Sequence, residues 1–196
     1  MLSEIRPAIV ATLFFTLLLG VGYPLLVTGV AKVAFPAQAG GSLIRKDGRV
    51  IGSALIGQGF TRPEYLHPRP SAAGANGYDP TASGGTNLGP LNPALIKQVK
   101  AAAEAIRGDA PGTPIPPDAV TSSASGLDPD VSPANAARQA GRIAAARGAA
   151  PAEVQKIIDA HTQGRWLGVF GQPRVNVLQT NLALDAALPR AQAKGP

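Results

Sequence analysis

The side chains able to do chemistry are few and scattered. The chain has two histidines, His67 and His161, no cysteine, and 12 Asp and Glu residues among 196. A zinc site needs several nitrogen, sulfur or carboxylate ligands at a matching spacing, and no such spacing occurs. The absence of cysteine removes thiolate nucleophiles, thiolate metal sites and disulfides together. There is no GxSxG elbow, no HExxH, no kinase set and no DKTG-like phosphorylation motif. The residue types predict neither a catalytic centre nor a metal site.

The remaining polar features point to binding. Ala82-Ser83-Gly84-Gly85-Thr86 joins small residues whose backbone N–H groups can turn inward as an anion-holding nest, with the Ser83 and Thr86 hydroxyls adding bonds. No Gly-Lys-Ser/Thr ending follows, so no lysine would reach a phosphate. The alternative is a tight glycine turn that fills space. Arg138 and Arg142 are four apart with Gln139 beside them, so they share one side of a helix. That side would recognise phosphate or carboxylate, or would be an ordinary solvated face. His67 stands in a loop between Leu66 and Pro68, whereas His161 falls on an apolar helical face and is expected as a hydrogen-bonded core residue.

The elements that must position these groups follow a coarse α+β pattern. Pro7 to Ala31 is 25 residues without a charge, between Arg6 and Lys32. As a helix it would be about 37 Å long at about 1.5 Å per residue, enough to cross a bilayer with some tilt. The rivals are a cleaved signal peptide, with Ala37-Gln38-Ala39 as cleavage site, and a buried core helix. An uncleaved transmembrane helix is the reading adopted. Gly20 and Gly22 suit close packing against a partner helix. Pro24 should kink the helix unless it opens a new segment. Flanking charges do not settle the orientation.

Residues 1–6 are then a short terminus, 7–31 the span, 32–41 a joint and 42–190 one mixed domain with a tail at 191–196. Asp47-Gly48 between apolar-bearing runs predicts a type I′ hairpin, with strands near 42–46 and 49–56. Residues 58–92 hold many turn formers and few periodic apolar positions, a length of irregular chain that usually serves function. Asn92-Pro93 opens a helix with Leu95, Ile96, Val99, Ala103 and Ile106 on one face and Gly108 as its stop. Residues 108–120 read as a Pro-rich linker or surface loop. Ser132-Pro133 opens a second helix ending at Arg147 before Gly148, and Pro151 a third running through Thr162. Trp166, Leu167, Val169 and Phe170 form an apolar patch. Val175 and Val177 alternate as a strand would, and 181–188 is strand or short helix. With one Trp, three Tyr and five Phe, the core is expected from Ala, Val, Leu and Ile. The net charge of +6 comes from Lys and Arg spread singly, apart from Arg45-Lys46. That favours a basic soluble face over nucleic-acid binding.

Read together and in order, GSLI (41–44), IGSALIGQGF (51–60), HPRPSA (67–72), YDPTASGGTNLGP (78–90), VTSSASGLDPDVSP (120–133), QAGRIAAARG (139–148) and GQPRVNVLQTNLALD (171–185) resemble the KdpC family. The likeness includes Ile5-Arg6-Pro7 and the Tyr23–Leu26 YPLL, covers nearly the whole chain, and is loosest at 108–117. It implies the C subunit of a bacterial potassium-transporting P-type ATPase. Its partners would be a potassium-channel-like subunit, an ATP-hydrolysing P-type subunit and a small membrane peptide. The resemblance implies a non-catalytic role in assembly and as a catalytic chaperone that raises ATP affinity. It also implies an inner-membrane location, a cytoplasmic N-terminus and a periplasmic main domain. ATP would be held in a ternary complex rather than tightly by this chain, with Ser83, Gly84, Gly85, Thr86 and Gln139 as the nucleotide-contacting residues. Gly20, Gly22, Pro24, His67, Arg69, Asn87, Arg138 and Arg142 are the expected partner-facing residues. Two alternatives stand beside this: a periplasmic cap over the potassium entrance without nucleotide contact, and a stand-alone small-ligand-binding module.

Overall fold

The computed structural model describes residues 2–188; the expected tail at 191–196 lies outside the described residues. Two compact units divide at Ile51–Gly52.

The first unit is built on α1, Ile5–Ala34, a 30-residue helix long and apolar enough to cross a membrane. None of its residues is buried within the chain, as befits a surface that meets lipid or another helix. The helix outruns the expected 7–31 at both ends, taking in Arg6 and Lys32. A π turn at Leu18–Gly22 precedes Tyr23, whose N–H donates to Leu18 O. Pro24 follows in the first turn of the continuing segment, directly after the π turn, where the widened backbone accommodates a residue without an N–H. This is the second of the two expected outcomes for that proline. Beyond Phe35, a one-turn helix at Pro36–Ala39 leads to the hairpin of β1 (Leu43–Lys46) and β2 (Arg49–Ser53). Asp47 and Gly48 have φ of 50° and 78°, the two positive values a type I′ turn demands. Strand β2 stops at Ser53, three residues earlier than expected, and only an isolated Ser53–Ile56 bridge continues it.

The second unit carries α2 (Pro93–Ile106), β3 (Asp130–Val131), α3 (Pro133–Arg147), α4 (Pro151–Ala160), β4 (Thr162–Gln163), β5 (Arg174–Asn176) and α5 (Val177–Ala187). The sheet order is β3-β5-β4, both pairs antiparallel, with Val175 facing Val131 on one side and Thr162 on the other. Caps explain the helix starts. Asn92 Oδ1 accepts from Ala94 N–H, Ser132 Oγ from Asn135 N–H, and Glu153 Oε2 from Ala150 N–H. Gly148 closes α3 in the left-handed region, φ 66°.

The core is aliphatic as expected: Leu66, Val131, Ala136, Ala140, Ile143, Ala144, Val154, Ile158, Val175, Val177 and Leu184, with Phe60, Ile157 and Leu188 packed against it. Small alanines on α3 let α4 and the irregular chain approach closely.

Several expectations need correction. α2 does not stop on Gly108; it tightens into a 3₁₀ turn at Arg107–Asp109. Ile96 is off the packed face and exposed. α4 ends at Ala160 because Thr162–Gln163 pairs with β5, so His161 caps the helix and is half-buried, Nδ1 2.9 Å from Ile157 O, outside the core. The expected strand through Val177 ends at Asn176, whose side chain accepts from Gln179 N–H and starts α5 at once. Residues 108–120 are more than a linker, since Asp118 accepts from Ser132 N–H, Ser132 Oγ–H and Asn135 Nδ2–H.

Candidate functional site

Residues 54–92 contain neither helix nor strand beyond the Ser53–Ile56 bridge. Prolines at 63, 68 and 70 explain part of this. Each lacks an N–H and pushes the preceding residue into an extended conformation, so RPEYLHPRP can neither coil into a helix nor enter a sheet interior. Its remaining peptide groups still need partners when buried.

Two side-chain amides supply them. Asn181 of α5 accepts from Leu66 N–H through Oδ1 (2.7 Å) and donates from Nδ2 to Leu66 O (3.0 Å). Gln139 of α3 does the same for the next residue, accepting from His67 N–H (2.8 Å) and donating to His67 O (3.1 Å). Each carboxamide takes the place of a neighbouring strand. Leu66 is thereby fully buried, and Gln139 and Asn181 are 5% and 2% exposed.

Arginines complete the clamp. Arg142 Nη1 donates to Pro63 O (2.6 Å) and Tyr65 O (3.1 Å), its Nη2 to Gln139 Oε1 (2.6 Å) and its Nε to Asp109 (3.2 Å). Arg147 donates from Nε to Glu64 O and from Nη1 to the Leu184 and Leu188 carbonyls. Its Nη2 pairs with Asp185 at 3.0 Å, and the guanidinium lies over the Tyr65 ring. Tyr65 Oη–H donates to the same carboxylate. Burial lowers the pKa of Arg142, against the raising influence of Asp109. Burial also lowers the His67 pKa; its hydrogen bond to Arg62 O and the Asp109 charge oppose this, while Arg142 reinforces it. His67 therefore stays neutral near pH 7.

The expected solvated face of α3 is thus corrected. Arg138 is 6% exposed and donates to Ile106 O, and the Arg142 side chain is 14% exposed. A charged helix side goes inward here because backbone carbonyls of the irregular chain are waiting for it. The signal was present in spacing: Asn135, Gln139 and Arg147 fall in the same buried stripe as Ala136, Ala140, Ile143 and Ala144. Sequence reasoning singled out Gln139 and Arg142 but missed Asn181 and Arg147, which carry the rest of the clamp, and Asp118, which holds the start of α3.

The Ser83–Thr86 stretch sits elsewhere. Gly84 N–H and Ser83 Oγ–H both donate to Ser125 O, at 2.8 and 3.0 Å. A Cβ on Gly85 would lie 3.0 Å from Ala124 O, and one on Gly126 only 2.6 Å from Gly84 O. Close backbone approach thus explains these glycines. Thr86 borders a cavity of about 300 Å³ beneath α2. Among the described residues, no hydrogen-bond partner is shared between this stretch and Gln139. Arg69 pairs with Asp128 (3.0 Å) and donates to Ser122 O, and Tyr78 Oη–H donates to Arg69 O. Asn87 is exposed with φ 53°. Gly20 has nothing near its Cβ position.

Fold and site together define an α+β domain carried behind an apolar, membrane-length helix, with its polar interior spent on holding an irregular strap. The model of the KdpC family, described as K+-transporting ATPase, c chain, matches residues 5–186. A "Potassium-transporting ATPase KdpC subunit" of Caulobacter sp. (strain K31) is 61% identical over 196 residues, covering 100% of both chains. Proteins of the same name in Caulobacter vibrioides (strain NA1000 / CB15N) and Beijerinckia indica subsp. indica are 62% and 58% identical, each covering 96% of both chains. The chain belongs to the KdpC family.

Proposed function

We propose that this chain is the non-catalytic, membrane-anchored subunit of a potassium-transporting ATPase complex. It assembles and stabilises the complex with a potassium-channel-like subunit, the ATP-hydrolysing P-type subunit and a small membrane peptide. It raises the ATP affinity of the hydrolysing subunit as a catalytic chaperone. Residues 5–34 cross the bacterial inner membrane with the N-terminus in the cytoplasm and the main domain in the periplasm. The observation that carries this reading is the clamp: Gln139 and Arg142, the helix side chains that would be candidates for chemistry, are consumed in fixing residues 63–67. Such a domain offers a rigid, irregular surface to partners and holds no nucleotide tightly by itself.

The same geometry favours a second reading, a periplasmic cap over the potassium entrance. The Gln139 amide and the Gly84 N–H already have internal partners. Nucleotide contact through Ser83, Gly84, Gly85, Thr86 and Gln139 would have to compete with those bonds.

Two measurements test these readings. Titrating the purified full chain with ATP should show no saturable binding, while removing the chain from the assembled complex should raise the KM for ATP. A KM unchanged by removal favours the cap. Tight ATP binding by the chain alone, lost in Ser83→Ala, would overturn both. Protease protection of a C-terminal tag in spheroplasts fixes the side of the domain.

A further inference from the structure

The loop between β4 and β5 turns its apolar side chains outward. Trp166, Leu167, Val169 and Phe170 are 69%, 72%, 69% and 60% exposed. The loop is nevertheless ordered against itself. Trp166 and Phe170 exchange both backbone hydrogen bonds (2.9 and 3.0 Å), and Val169 N–H also donates to Trp166 O. Their rings pack with centroids 5.8 Å apart. Leu167 and Gly168 turn the tip with φ of 52° and 75°, so an aliphatic side chain accepts a conformation that favours glycine in order to stand outside.

We infer that this tip inserts into the interfacial layer of a lipid bilayer. Three observations select a lipid surface over a protein groove. The N–H groups of Trp166, Gly168, Val169 and Phe170 all donate within the loop, which lowers the cost of leaving bulk water. Those bonds also leave little edge for a partner strand to pair with. From Ala160 to Leu184 the chain has two arginines, Arg165 and Arg174, and no acidic residue, so basic groups flank an aromatic tip where anionic headgroups would lie. Arg174 also meets Asp130 at 3.1 Å, leaving Arg165 as the principal headgroup contact. Tryptophan is the side chain most suited to that layer. The inference rests on residues 5–34 being a span and is independent of any nucleotide role.

Trp166 is the only tryptophan in the chain, so its fluorescence reports on the tip alone. The full chain is reconstituted into phosphatidylcholine–phosphatidylglycerol vesicles without other subunits. Expected are emission shifted to the blue, quenching by lipids brominated near the headgroup, and resistance to iodide. Leu167→Asp combined with Phe170→Asp should abolish the bromolipid quenching while the chain still floats with the vesicles and keeps its circular dichroism. Water-like emission with free iodide access in the unsubstituted chain overturns the inference. So does protection that arises only after the other subunits are added, which would assign the tip to a protein contact. A chain that fails to float overturns the span itself.

Discussion

At the scale of single residues, the unusual feature is two amides acting as strand edges. Gln139→Leu removes the partners of His67 N–H and His67 O and one acceptor of Arg142. Each buried group left unpaired costs about 1–3 kcal/mol. Thermal or urea unfolding should therefore show a loss of a few kcal/mol, and Asn181→Leu should show a similar loss through Leu66. A loss under about 0.5 kcal/mol, the range of ordinary surface changes, would mean that water replaces the clamp. His67 adds a pH dependence. Burial depresses its folded pKa below 6.5, so the unfolded chain binds the proton more readily. Stability from this group is full above about pH 6.5 and is lost as pH falls through the lower folded value. The groups facing the ring are Arg62 O, Arg142 and Asp109, so the shift belongs to the folded arrangement. Melting temperatures between pH 7.5 and 5 should fall more steeply for the natural chain than for His67→Gln. Parallel curves would contradict a buried, neutral imidazole.

At the scale of elements, neighbouring glycines of one motif separate packing from recognition. A Cβ at Gly84 meets nothing within 4 Å, whereas one at Gly85 lies 3.0 Å from Ala124 O and one at Gly126 lies 2.6 Å from Gly84 O. Gly84→Ala should leave the unfolding midpoint nearly unchanged. Gly85→Ala and Gly126→Ala should lower it, Gly126→Ala most, because its φ of 66° adds backbone strain. Any loss of transport in the complex carrying Gly84→Ala then reports on a contact with another subunit or its nucleotide. Full transport with normal ATP dependence would remove Gly84 from the proposed contact set.

At the scale of the whole molecule, the membrane-length helix carries the assembly prediction. Its π turn ends at Gly22, with Gly20 open and Gly22 approached only by the Leu17 carbonyl at 3.6 Å. Replacing both by leucine fills the surface that would admit a neighbouring helix. The doubly substituted chain should insert normally and co-purify poorly with the other subunits. Undiminished co-purification would reduce the helix to a tether.

The parts of the fold governed by local rules were legible in the order of residues. An uncharged apolar run makes α1, Asp47-Gly48 makes the hairpin turn, and Asn92-Pro93, Ser132-Pro133 and Pro151 start helices where capping and proline geometry require. Composition also set the aliphatic character of the core. What the inward polar side chains hold was settled by tertiary structure alone. Asn181 and Arg147 lie about 115 and 83 residues from the backbone groups they hold, Leu66 and Glu64, and no local spacing encodes such a pairing. For the same reason β4 ended an expected helix two residues early, and α5 began at Val177, where the strand was expected to continue. Val175 reaches Thr162 across the sheet, and the Asn176 side chain reaches Ala54 O, long-range contacts that override the periodicity of Val175 and Val177.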